Sequence, residues 1–128
     1  MSEPLLGVVL AHSELARSLV LAVEEIAGAD HGLVGVSNQG CDRAAIVARL
    51  DAAIGSRDAV VFADMPGGSC AFSATKYARG HATVRVVTGV NLAMLLDFAF
   101  HRDQPLEVAA ARAVETGRSS VTVVGGGA

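Results

Sequence analysis

The segment LLGVVLAHSELARSLVLAVEEI, residues 5–26, changes the period of its hydrophobicity once. Leu5 to Leu10 is an apolar run broken only by Gly7, the pattern of a strand covered on both faces. From Leu15 the apolar residues recur at steps of three and four, through Leu19, Ala22, Val23 and Ile26, which is helical spacing. A two-sided strand that feeds directly into an amphipathic helix opens a strand–helix–strand unit.

The alternation continues along the chain. Strands are expected over residues 33–36, 59–63, 83–87 and 121–124. A turn is expected at Asn38-Gln39-Gly40. Asp42 can cap a helix that runs towards Ile54 with Ala45, Ile46, Leu50 and Ala53 on one face. Further helices are expected from about Cys70 to Ala78, from Leu92 to Phe100, and from Pro105 to about Thr116. This order implies right-handed crossovers and a mostly parallel, doubly wound α/β sheet. At 128 residues the chain suits one domain, with residues 125–128 expected as a disordered Gly-rich tail.

Composition narrows the function. Hydrophobic residues reach 52% while aromatics are only 4% and Trp is absent, so the core must be built from Val, Leu, Ile and Ala. The net charge is -3 and no Lys/Arg run exists, which argues against nucleic acid as the ligand. No apolar run approaches the roughly 20 residues needed to span a bilayer. The N-terminus shows no basic region followed by a long apolar stretch, so no signal peptide is expected. Cys41 and Cys70 lack metal-ligand spacing and read as two reduced thiols of a cytoplasmic protein.

In a doubly wound sheet the ligand site lies beyond the carboxyl ends of the strands. That rule singles out the loops carrying His12, Asp64 to Ser69, and Thr88 to Asn91. An imidazole at a helix start is a nucleophile near neutral pH, beside N–H groups that favour an added anion. Taken alone, His12 suits a helix-capping role equally well. Asp64 ends another buried strand and should face the same rim. There it could fix the tautomer of His12 and free the other ring nitrogen, or it could cap the following segment. Gly67-Gly68-Ser69 can turn backbone N–H groups and a hydroxyl towards an anion, although Gly-Gly-Ser is also a common turn.

Other groups carry less. His31, His81 and His101 show no ligand spacing and read as surface or capping residues. Cys70 opens a helix, where a thiol could be activated, but reads better as a small buried residue. Arg79, Arg85 and Arg102 read as solvated, and Phe98 and Phe100 as core or dimer contacts.

Together, His12 after the first strand, the stretch Asp64-Met65-Pro66-Gly67-Gly68-Ser69, Thr88-Gly89-Val90-Asn91-Leu92-Ala93-Met94-Leu95, and the ending Ala113-Val114-Glu115-Thr116-Gly117-Arg118 resemble the IIA component of the mannose-type sugar phosphotransferase system. The resemblance covers about residues 5 to 124 and lies in the combination of motifs. It implies a flavodoxin-like fold whose last strand runs antiparallel at the sheet edge and can be exchanged between two subunits. It further implies that His12 carries a phosphoryl group, that Asp64 orients it, and that Ser69 with Gly67, Gly68 and Ser13 binds the phosphoryl oxygens. Gly89 and Asn91 would shape the site rim.

The implied partners are a histidine-containing phosphocarrier protein as donor and a IIB component as acceptor. A homodimer is implied, and a membrane permease would be reached only through partners. No metal or organic cofactor is implied. The sequence departs from the family pattern at Ser13, where Gly is frequent, at Pro66, where a bulky apolar residue is common, and at Cys70, where Pro is usual. Three other readings remain at this point. They are the phosphotransfer subunit of dihydroxyacetone kinase, a regulatory module that uses phosphorylation as a signal, and a hydrolase using His12, Asp64 and Ser69. The last lacks a G-x-S-x-G elbow.

Overall fold

The structure, a computed structural model, describes residues 3–127. Nine elements follow in order: β1 (Leu6–Ala11), α1 (Leu15–Ala27), β2 (Leu33–Ser37), α2 (Arg43–Ile54), β3 (Ala59–Ala63), α3 (Gly68–Arg79), β4 (Val84–Thr88), α4 (Leu92–Ala99) and α5 (Leu106–Ser119). The four strands are parallel and ordered β2-β1-β3-β4. That is the flavodoxin-like order without a fifth strand, and its switch point falls between β1 and β3.

The alternation of side chains along each strand divides the core in two. Val9 and Ala11 of β1 with Val60 and Phe62 of β3 face Ala16 and Val23 of α1, Met94, Leu95 and Phe98 of α4, and Ala109 and Ala113 of α5. Val8 and Leu10 with Ala59 and Val61 face Ile46, Leu50 and Ile54 of α2 and Cys70, Ala74 and Tyr77 of α3. Both central strands are fully buried, as their apolar runs require. Gly7 is demanded by packing: a Cβ there would come within 2.4 Å of Leu33 Cδ2 and 2.7 Å of Phe98 Cε2. Phe98 in turn meets Phe62 edge-on, with ring centroids 5.2 Å apart.

Three sequence expectations are corrected. First, α1 buries Ala16 and Val23, while Leu15 and Ile26 are exposed at 45% and 61%. This helix is apolar around much of its circumference, so periodicity alone did not single out the inner stripe. Second, α3 begins at Gly68 rather than Cys70, which moves Gly68 and Ser69 from the loop into the first helical turn.

Third, the antiparallel edge strand over 121–124 does not form. Those residues have no regular structure, and Val121, Val123 and Val124 are exposed at 77%, 98% and 91%. A short apolar run followed by glycines has no second face to bury within its own chain. Ordering it along one edge costs about 1–2 kcal/mol per residue in backbone entropy. Of the expected tail at 125–128, residues 125–127 also lack regular structure, and residue 128 lies outside the described residues.

Candidate functional site

The parallel register brings Leu10 of β1 opposite Ala63 of β3, so the residues just beyond these strand ends meet at the switch point. His12 and Asp64 do so directly. The backbone N–H of His12 donates to Asp64 Oδ2 at 3.0 Å, and His12 Nδ1 lies 2.6 Å from the same oxygen. Burial would push the Asp64 carboxyl up, but the hydrogen bonds from the ring and backbone of His12 and the charge of His12 outweigh it. The pKa ends below the ordinary carboxylate value. An ionised carboxylate can only accept, so Nδ1 carries a hydrogen, and in the neutral ring Nε2 is the nitrogen with the lone pair. The His12 side chain is 45% exposed while that of Asp64 is 10% exposed, so the imidazole faces solvent and its partner does not.

The turn after His12 is held from β2. Ser13 has φ 54, in the left-handed region that favours glycine. Its N–H donates to Asn38 Oδ1 at 3.2 Å, and its carbonyl accepts from Ser37 Oγ at 2.7 Å. Ser37 Oγ also accepts from the backbone N–H of Gln39 at 3.0 Å. Ser37 and Asn38 therefore fix the turn. The sequence marked only a turn at 38–40, with no signal for what it grips.

The other wall is the start of α3. Gly67 is its N-cap, and Gly68, at φ 89, lies beside the imidazole: a Cβ there would stand 3.9 Å from His12 Cε1. The first turn of a helix carries N–H groups without intrahelical partners, which suits an anion added to the ring. Ser69 does not hydrogen-bond to His12; the group that approaches the ring from this helix is the Cys70 thiol. Without a Ser69–His12 pair, the arrangement lacks the nucleophile–base contact of a serine hydrolase. Cys70 is fully buried, with Sγ 3.8 Å from His12 Nδ1. Burial and then the Asp64 charge push its thiol up to about 11, against a smaller opposing effect of Ser69, so it is a poor nucleophile.

A groove of about 330 Å³ runs beside this wall, lined by Arg43, Pro66, Gly67, Gly68, Phe72 and Thr88 among others. Arg43 lies 4.0 Å above the half-exposed ring of Phe72. Neither residue was picked out by the sequence, in which Arg43 is simply the residue after a helix cap.

Gly89 and Asn91 belong to a neighbouring groove along β4 and α5. Val90 N–H donates to the Ala63 carbonyl at 3.1 Å, which ties this loop to the end of β3. The Asn91 side chain is fully engaged elsewhere. Its Oδ1 accepts from Met94 N at 3.0 Å as the α4 cap, and its Nδ2 donates to the Gly117 carbonyl at 3.0 Å. The structure thus brings His12, Ser13, Asp64, Gly67, Gly68 and Ser69 to one place and gives Asn91 a structural task beside it.

Residues 7–115 match the family model described as PTS system fructose IIA component. No curated protein matches the chain. Among solved structures, the phosphotransferase system component EIIA from Streptococcus agalactiae superposes with a TM-score of 0.86 at 18% identity, covering 93% of this chain and 96% of that one. The mannose/sorbose specific IIA subunit from Enterococcus faecalis gives 0.85 at 23% identity, covering 96% of each chain. The PTS IIA protein associated with the fucose utilization operon of Streptococcus pneumoniae gives 0.79 at 17% identity, again covering 96% of each.

Proposed function

The chain belongs to the family of PTS fructose IIA components, which act in sugar phosphotransfer, and on that footing we propose that it carries a phosphoryl group on Nε2 of His12. The observation that supports this most strongly is the contact of 2.6 Å between His12 Nδ1 and Asp64 Oδ2. It holds the hydrogen on one nitrogen and directs the lone pair of the other towards solvent.

The donor would be the phosphohistidine of a histidine-containing phosphocarrier protein. Nε2 attacks phosphorus as the P–N bond to the donor breaks, and the electron pair of that bond leaves with the donor imidazole. Asp64 balances the positive charge that develops on the His12 ring. The N–H groups at Gly67, Gly68 and Ser69, with the hydroxyls of Ser69 and Ser13, take the phosphoryl oxygens; the Ser13 N–H is already held by Asn38 Oδ1. Such transfer depends on positioning and charge stabilisation more than on covalent help from the protein. Arg43 at the groove adds a cation for the approaching dianion. The reverse displacement passes the group to a IIB component.

The same reading includes a homodimer. β4 is a sheet edge with unpaired main-chain groups. The exposed run Val121 to Val124 emerges next to it, with Val121 lining the groove shared with Val86 and Val87. Pairing that run with the edge of a second copy would bury both. No helix among the described residues is long and apolar enough to cross a membrane. The family reading, rather than that absence, leads us to place this domain in the cytoplasm, contacting a permease through partners.

His12→Ala tests the proposal. The variant is expected to fold normally and to take no label when incubated with phosphoenolpyruvate, enzyme I and the phosphocarrier. Normal labelling of the variant, or an acid-stable serine phosphate on the wild type, would overturn the assignment.

A further inference from the structure

One polar atom at the site has no task in phosphoryl transfer. Asp64 Oδ1 is buried and no group among the described residues donates to it, on a side chain nine-tenths buried. An orphaned buried carboxylate oxygen commonly costs a folded protein free energy unless something occupies it. Beside the other oxygen of this carboxylate stands His12 Nδ1, 2.6 Å from Oδ2, with Cys70 Sγ 3.8 Å from that nitrogen. One ligand atom from each of the three residues lies within 4.8 Å of the others.

We infer that His12, Asp64 and Cys70 form a second kind of site, for a thiophilic divalent cation of the zinc class. Thiolate, imidazole and carboxylate are the three ligand types such a cation takes, and three protein ligands with one open position make an exchangeable centre. Cys70 binds as the thiolate, its thiol proton passing to solvent as the metal–sulfur bond forms. Bond lengths of about 2.3 Å to sulfur and about 2.0 Å to nitrogen set a tetrahedral N···S edge of about 3.5 Å. The observed 3.8 Å needs little adjustment. The carboxylate must withdraw, because a tetrahedral N···O edge is about 3.4 Å. The His12 side chain is 45% exposed, so a cation can reach the cluster from solvent along the ring.

Metal and phosphoryl group exclude each other. A cation on Nδ1 takes the place of the hydrogen shared with Asp64. The neutral ring then carries its hydrogen on Nε2, whose lone pair is no longer available for attack. This exclusion rests on the proposed phosphoryl carriage, whereas cation binding does not.

Cobalt(II) titration of the metal-free full chain reads the two separately. One equivalent should give a near-ultraviolet thiolate-to-cobalt band that zinc bleaches, lost in Cys70→Ser and retained in Cys41→Ser. Because Cys70 is buried, His12→Ala provides an exposed second variant, expected to weaken binding at least about tenfold. No band, a band that follows Cys41, or unchanged affinity in His12→Ala would overturn the site. Saturating zinc should also suppress labelling of wild-type His12 by the phosphocarrier. Undiminished labelling of zinc-loaded protein would overturn the exclusion while leaving the site standing.

Discussion

Asp64→Asn changes one atom at the heart of the site and should slow phosphoryl transfer without unfolding the protein. The carboxylate accepts both from the ring and from the backbone N–H of His12. An amide can turn its oxygen to one of these, or turn its NH2 group to Nδ1 and trap the ring as the unreactive tautomer. A hydrogen bond to a charged group contributes about 1.5–3 kcal/mol, and the half-exposed ring of His12 argues for the lower half of that range. A loss of about 1.5–2 kcal/mol of transition-state stabilisation corresponds to a rate reduced roughly 10- to 30-fold.

The assay is rapid-quench transfer from the phosphorylated carrier, with circular dichroism as the check on folding. A rate within twofold of wild type would refute the reasoning, because Nε2 would then not depend on the Asp64 charge. The pH dependence carries a sign of its own. The Asp64 carboxyl is lowered in the folded state, so the stability it contributes is fully present above the ordinary carboxylate pKa. That stability is lost as pH falls through the lower folded value. Wild type should therefore exceed Asp64→Asn in stability near neutrality, with the gap closing in acid.

Three further outcomes follow from the geometry. Asn91→Ala removes the α4 cap and the tie to Gly117, at about 1 kcal/mol each, and should lower the melting temperature by about 6–10 °C. A variant that loses transfer but keeps its stability would return Asn91 to the site rim. Ser13→Gly relieves a left-handed residue whose backbone hydrogen bonds survive the change, and urea unfolding should show a gain of up to about 1 kcal/mol. A loss of stability would mean that the serine side chain does something its surroundings do not show. A chain ending at Ser120 should sediment as a monomer at micromolar concentration where the full chain is a dimer. Identical behaviour of the two would remove Val121 to Val124 from the assembly.

How much of this was legible in the sequence depended on distance along the chain. The strands announced themselves because a strand buried on both faces leaves an unbroken apolar run, as Leu5 to Leu10 and Ala59 to Ala63 do. Once their order was known, His12 and Asp64 had to share a rim. The cap at Asp42 was equally local, with Ala45 N 2.8 Å from its Oδ1. What escaped were bonds between remote residues. Asn91 grips a carbonyl 26 residues on, and Cys70 meets a ring 58 residues back, so no window on the sequence contains either pair. The tail misled for the opposite reason: an apolar run says what a segment would bury but not whether its own chain supplies the partner.

The 52 residues that separate His12 from Asp64 give the site a place in the order of folding. Closing a loop of that length costs about 3.5 kcal/mol in chain entropy before any contact across it forms. The contact depends on the pairing of β1 with β3, the two central strands, between which the chain runs through α1, β2 and α2. A nascent or partly folded chain thus presents His12 as an ordinary exposed imidazole, without its oriented lone pair. Competence for transfer should appear together with the central strand pair. In a refolding experiment, pulses of phosphorylated carrier would time the closure of the sheet.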